Sequence, residues 1–281
     1  MNATPAAPAA RWLDAGLRPT VLVRGPDAQR FIDGFTTAAI GSLEPGSGAE
    51  GFFADAKGQV LALAAILRTD DGVWIDAFPG GSGSLAEHLE RYHIRERLEI
   101  VDATATRTNI VVAGPAAAAM IGPLIGMPVP TQPWGHVHGA IGGVPVAVVA
   151  VPWAGPGGVF VQAAAADRLP LVMALEAAGC VAAPLATLEQ LRIAAGWPAP
   201  CDIPAKTLPQ ELGRDAAAIS FTKGCYLGQE TVARLDALGH VNRRLVGLAA
   251  MQPLTAGTAV RAAGVECGVI TSAGPTSRAG G

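Results

Sequence analysis

Short apolar runs alternate with breaks rich in glycine, proline and charge along almost the whole chain, and their spacing sets the expected elements. Residues 21–23 read as a strand and 26–37 as a helix. Residues 50–55 and 59–68 read as a hairpin turning at Lys57-Gly58, and Asp71-Gly72 turns the chain into a third strand over 73–77. Ser84-Leu85-Ala86-Glu87 is a capping box that opens a helix carrying Leu85, Leu89, Tyr92 and His93 toward Arg95. Further strands are expected over 98–101, 109–112, 144–151 and 159–162, with helices over 115–125 and 165–179. Thr187-Leu188-Glu189-Gln190 has the pattern of another helix start. Hairpins interleaved with helices predict an α+β fold rather than a doubly wound parallel sheet. Beyond Gly239 the text becomes short apolar segments at 245–248, 259–260 and 268–271, separated by turns.

Composition narrows the function classes. Half of the 281 residues are apolar, 15% are charged and the net charge is −3, so no basic surplus marks a nucleic-acid surface. Residues 108–166 contain no Asp, Glu, Lys or Arg, yet Gly and Pro interrupt them too often for a spanning helix of about 20 residues. No membrane segment is expected. The Ala/Pro-rich residues 1–10 read as a disordered tail and lack the basic and apolar regions of a signal peptide. No Gly-x-Gly-x-x-Gly follows a strand and no Walker loop appears; Gly80-Gly81-Ser82-Gly83 reads as a flexible connection. Cysteines at 180, 201, 225 and 267 lie far apart and match neither a zinc site nor a disulfide framework, so a reducing, cytoplasmic setting is expected. His136-x-His138 lacks a third ligand nearby, and no metal site is expected.

The chemistry concentrates in Lys223-Gly224-Cys225-Tyr226-Leu227-Gly228-Gln229-Glu230. From Tyr226 onward the pattern reads as a helix, with Leu227, Val232 and Leu235 apolar and Glu230 four residues before Arg234. That start places Cys225 near the positive end of the helix dipole with the Lys223 cation close by, two influences that favour a reactive thiolate. Against this stands the usual role of a lone cysteine as a small buried hydrophobe. The polar and glycine flanks favour function.

Lys-Gly-Cys-Tyr-x-Gly-Gln-Glu resembles the signature of the YgfZ-type folate-binding proteins, relatives of the glycine-cleavage T-protein (aminomethyltransferase) that are linked to iron–sulfur cluster assembly and repair. The resemblance extends through Arg192-Ile193-Ala194-Ala195-Gly196-Trp197-Pro198, Asp202-Ile203, Leu208-Pro209-Gln210-Glu211-Leu212 and Ser220-Phe221-Thr222 before the motif. It continues through 231–234, Gly239-His240 and Gly268-Val269-Ile270-Thr271-Ser272 after it, and reaches back to Phe31-Ile32-Asp33-Gly34 and Asp55-Ala56-Lys57-Gly58-Gln59-Val60. Two departures stand out: Thr36-Thr37-Ala38-Ala39 replaces a commoner Thr-Asn-Asp, and the C-terminal barrel segment is short.

The resemblance implies a T-protein-like architecture. Residues 11–240 would form the folate-binding region, in two subdomains divided near 105–110, and 241–281 the start of a C-terminal β-barrel. It implies tetrahydrofolate as cofactor, with Asp202 accepting the pterin's donors and Glu211 as the alternative. Trp197 stacks on the pterin or fills the core, and Arg192 pairs with the folate glutamate or lies on a helix surface. Gly224, Gln229 and Glu230 join the cofactor contacts, while Cys225 and Lys223 carry the chemistry: a transient cluster ligand, thiol exchange or one-carbon acceptance. Partners would be iron–sulfur client or assembly proteins, including tRNA-modifying enzymes, with no direct nucleic-acid contact. The alternatives are a folate-dependent aminomethyltransferase and a non-catalytic interaction scaffold.

Overall fold

The computed structural model describes residues 10–79 and 84–274; the expectations for 1–9, for the 80–83 glycine segment and for 275–281 lie outside them. The first half of the chain builds a five-stranded antiparallel sheet. After β1 (Arg11–Asp14) come β2 (Thr20–Arg24), α1 (Ala28–Asp33), β3 (Gly48–Ala54), β4 (Val60–Thr69) and β5 (Gly72–Pro79). Then α2 (Leu85–Glu90) leads to β6 (Glu99–Asp102), and the sheet order is β3-β4-β5-β2-β6. Half of the capping box is present: the Ser84 hydroxyl accepts from the Glu87 N–H.

The second half repeats the plan. It runs β7 (Arg107–Ala113), α3 (Ala117–Ile125), β8 (His136–Ile141), β9 (Val144–Ala150) and β10 (Val159–Ala164), then α4 (Arg168–Ala177) and β11 (Val181–Ala182). These strands lie in the order β7-β10-β9-β8, matching β2-β5-β4-β3 of the first half. The N-terminal β1 pairs with β7 on one side and β11 on the other, so the first strand of the chain completes the second sheet. A sequence echo accompanies the repeat. Val23-Arg24-Gly25-Pro26 and Val112-Ala113-Gly114-Pro115 each turn from strand to helix, through glycines at φ 123° and 119° that only glycine adopts readily.

Alternation along the strands makes three apolar layers. Val21, Val23, Ile66 and Ile75 face out against α1 and α2, while Ile110, Val112, Val148 and Val161 face out against α3 and α4. Leu22, Leu63, Trp74, Val111, Val149 and Phe160 point inward and join one cluster between the two sheets. Strands buried on both faces explain the near-continuous apolar runs, including the charge-free stretch from 108 to 166.

The remaining elements are α5 (Leu185–Ala194), α6 (Asp215–Ala218), α7 (Gln229–Leu238) and the antiparallel pair β12 (Ala259–Ala262) and β13 (Val265–Val269). The pair fits the start of a small barrel, and the whole is α+β as expected. Several boundaries differ from the sequence reading, among them two helix ends. The α5 helix starts at Leu185 with Pro184 as its N-cap, not at the Thr187 capping pattern, and the Thr187 N–H already bonds the Pro184 carbonyl. The first helix ends at Asp33, leaving 34–38 as an irregular turn, and that turn receives the loop around Lys223 and Leu227.

Candidate functional site

The motif loop is stitched onto the turn after α1. Lys223 has a side chain only 3% exposed, and its ammonium donates to the carbonyls of Asp33 (2.6 Å), Thr36 (2.9 Å) and Ala38 (2.7 Å). It also reaches Asp33 Oδ1 at 3.1 Å. That same Oδ1 accepts the backbone N–H groups of Ile40 and Gly41, so one carboxylate and one ammonium organise the entire turn. Burial pushes the Lys223 pKa below its ordinary value, and the Asp33 carboxylate opposes the shift. Around this centre, Leu227 donates to the Gly34 carbonyl, Ser220 to that of Thr37, and the Thr37 hydroxyl to that of Ala218.

Tyr226 anchors the loop from inside. It is 8% exposed, lies 5.4 Å from the Lys223 ammonium by its ring centroid, and burial pushes its phenol up to about 12. Gly228 sits at φ 83° against the β3–β4 turn, where an added Cβ would lie 2.5 Å from the Asp55 carbonyl oxygen. Only glycine fits there. Cys225, between these anchors, is exposed.

This geometry corrects the expected helix start. The α7 helix begins at Gln229 with Gly228 as its N-cap, so Cys225 stands three residues ahead of the cap and outside the first turn, where the dipole acts. The cause is Gly228, whose left-handed backbone halts any helix begun at Tyr226. The Lys223 ammonium likewise spends its donors on backbone carbonyls. What the loop presents is a rigidly mounted, accessible thiol, with Glu230 exposed on α7 and Gln229 half-buried at its first position.

A second cluster gathers Asp202, Arg192 and Trp197. The Asp202 carboxylate is 6% exposed; Oδ2 accepts from the Ala199 N–H (2.8 Å) and Arg192 Nη1 (3.1 Å), while Oδ1 accepts from the hydroxyls of Thr271 and Ser272. Arg192 is buried rather than on a helix surface, and also binds Glu189, the Trp197 carbonyl and Ser272. The cluster thus ties α5 to the segment after β13. Trp197 is 2% exposed, packs against Trp134 at 5.3 Å, and carries the Arg214 guanidinium at 4.7 Å from its ring.

Glu211 stands apart from that cluster. Its carboxylate accepts from the Leu208 N–H and from the half-exposed Arg243. Its neighbour Gln210 is 7% exposed and donates to the Val232 carbonyl, while its Oε1 has no partner. Neither the Arg214–Glu50 pair (2.7 and 2.6 Å) nor the roles of Asp33 and Arg243 emerged from the sequence. Each joins residues tens to hundreds of positions apart without a spacing signal.

His136 and His138 share one face of β8, with ring centroids 6.1 Å apart, and among the described residues no group of three metal-ligating side chains forms. His136 is 3% exposed; its Nδ1 faces the Trp134 carbonyl and its Nε2 has no partner. Burial pushes its pKa below the ordinary imidazole value. A folded pKa below the unfolded value of about 6.5 means that the stability is present above that pH and lost as pH falls through the folded pKa. Unfolding free energies are therefore expected to fall as the pH drops below about 6.5, by up to about 1.4 kcal/mol per pH unit for this proton. His136→Asn should flatten the fall.

Residues 9–223, more than half of the chain, match the GCVT N-terminal domain family. A chloroplastic transferase-named protein of Arabidopsis thaliana is 28% identical over 90% of this chain, which spans 59% of that relative's length. The tRNA-modifying protein YgfZ of Cronobacter sakazakii is 28% identical over 81% of this chain and 67% of its own. A mitochondrial iron–sulfur cluster assembly factor of Phaeosphaeria nodorum is 26% identical over 82% of this chain and 53% of its own. In fold, the chain is similar to the crystal structure of glycine cleavage system aminomethyltransferase T from Bartonella henselae, with a TM-score of 0.75 over 94% of this chain and 74% of that one at 18% identity. No helix among the described residues is long and apolar enough to cross a membrane. With the doubled sheet architecture and the cysteine loop mounted on it, the chain belongs to the GCVT-domain family, in the superfamily that joins YgfZ to the glycine-cleavage T-protein.

Proposed function

We propose that this protein is a cytoplasmic, tetrahydrofolate-binding factor that supports assembly or repair of iron–sulfur clusters in client enzymes, tRNA-modifying ones among them, with the Cys225 thiol as its reacting group. The observation that carries the reading is the loop itself. An ammonium buried under three carbonyls and a glycine that admits no side chain hold one exposed cysteine in a fixed place. A cysteine kept only for packing is buried. Relatives named for tRNA modification and for cluster assembly support the choice of client.

The two carboxylates fit a pterin unequally. Asp202 already accepts four donors, two of them from a guanidinium and a backbone N–H buried with it. Glu211 exchanges donors more readily, since its Arg243 partner is 54% exposed, and the next residue in the chain, Gln210, has a buried Oε1 without a partner. Glu211 and Gln210 would hold the pterin's N–H groups, Asp202 would brace the scaffold, and the folate would supply one-carbon chemistry.

Calorimetric titration with tetrahydrofolate tests this. Micromolar binding is expected, weakened about tenfold or more (~1.4 kcal/mol) by Glu211→Gln and little changed by Asp202→Asn. No binding by folded wild-type protein would overturn the folate assignment. Cys225→Ala is expected to abolish restoration of cluster-enzyme activity in a deficient strain while leaving the urea midpoint within about 0.5 kcal/mol. Turnover of an aminomethylated carrier protein would point instead to an aminomethyltransferase.

A further inference from the structure

A pocket of about 530 Å³ opens between the end of α1 and the loop after α2, on the outer side of the first sheet. Phe31, Phe35 and Tyr92 wall it, with ring centroids 4.8 Å apart for the first two and 5.2 Å for the last two. The rim acids are committed to their own chain. Asp27 binds the Arg97 backbone and guanidinium, and Glu96 accepts the N–H groups of Ile94 and Arg95. Among the described residues the Arg95 guanidinium has no hydrogen-bond or ion-pair partner, which leaves the rim a cation to spare. The braced loop also holds Ile94 86% exposed and Tyr92 39% exposed.

This pocket adjoins the cysteine loop. Phe35 follows Gly34, whose carbonyl takes the Leu227 N–H, and Lys223 is bonded to Asp33 just before it. Cys225 therefore hangs between two anchors on the turn that carries a pocket wall. We infer that the pocket seats a protein partner presenting an apolar side chain flanked by carboxylates, and that docking there lays the partner alongside Cys225. The inference rests on the proposed role of Cys225 toward client proteins. Aromatic and arginine anchors at a pocket are the usual centre of a protein interface. An isoleucine held out in water beside it gains most from a partner larger than the pocket.

The test is selection of a phage-displayed library of random linear peptides on the full chain. Enrichment of sequences with Leu, Phe or Trp beside Asp or Glu is expected, with binding to Arg95→Glu and to Tyr92→Ser reduced about tenfold or more and Lys-for-Glu peptides regaining affinity for Arg95→Glu. Both sites are solvent-facing, so the variants should fold. No enrichment, or peptides indifferent to both substitutions, overturns the inference. Cys225→Ala should still bind the selected peptides. If it loses in-cell activity while no peptide is selected, the docking site fails and the proposed function stands; if peptides bind the pocket but Cys225→Ala stays active, the reverse holds.

Discussion

Asp202→Ala is expected to destabilise the protein by about 3 kcal/mol or more, the cost of leaving several buried donors without their shared acceptor, while Arg192 keeps Glu189 as its ionic partner. In the native protein the pair is closed on both sides, with side chains 7% and 3% exposed for Arg192 and Asp202. Removing the carboxylate leaves the Thr271 and Ser272 hydroxyls and the Ala199 N–H without an acceptor. It also loosens the segment after β13, which keeps its Arg192–Ser272 bond to α5. Asp202→Asn keeps an acceptor and should cost less, and Arg192→Met with Asp202→Leu should recover much of the loss, because it removes both charges together. Urea unfolding of the four proteins decides the matter; equal stability of wild type and Asp202→Ala would show that the cluster is not structural. This cost also makes the alanine variant a poor probe of folate binding.

Lys223→Ala should be nearly as severe, about 3 kcal/mol or more. Three carbonyls and the partly exposed Asp33 carboxylate lose a shared donor whose side chain is only 3% exposed. Lys223→Met keeps the stem and removes only the charge, so the difference between the two variants separates packing from electrostatics. The effect on the loop should be selective: the Cys225 thiol of Lys223→Met should react with an uncharged alkylating agent at a rate unlike the wild type, measured after replacing Cys201 and Cys267 with Ser. Unchanged stability in both variants would show that the loop is held without the ammonium, by Tyr226, Gly228 and its backbone bonds to the turn.

Local rules made much of the fold legible. The Lys57-Gly58 turn, the Ser84 cap and the apolar run 110–112 all depend on neighbours a few positions away. The repeat was also present in the text, in the two Val-x-Gly-Pro turns, but it shows only when strand order is known. The site was readable as a motif and not as a geometry. Nothing in Lys-Gly-Cys-Tyr reveals that the lysine reaches back some 190 positions to the end of α1, or that Gly228 rather than Gly224 decides where α7 starts. Propensity favoured a helix from Tyr226, and a close approach of two backbones overrode it.

The order of synthesis gives the placement of β1 a further meaning. Every strand of the first sheet has emerged by Asp102, so that sheet can close while the chain is still growing. The strand β1, made before all of them, has no partner until β7 arrives about ninety residues later, roughly five to twenty seconds at ordinary rates of translation. During that interval Leu13, fully buried at the end, is exposed on an unpaired strand edge. The N-terminus then acts as a latch, closing across β7 and β11 only when the second half is in place, so that a chain missing its first fourteen residues keeps its first sheet and loses the seam of its second.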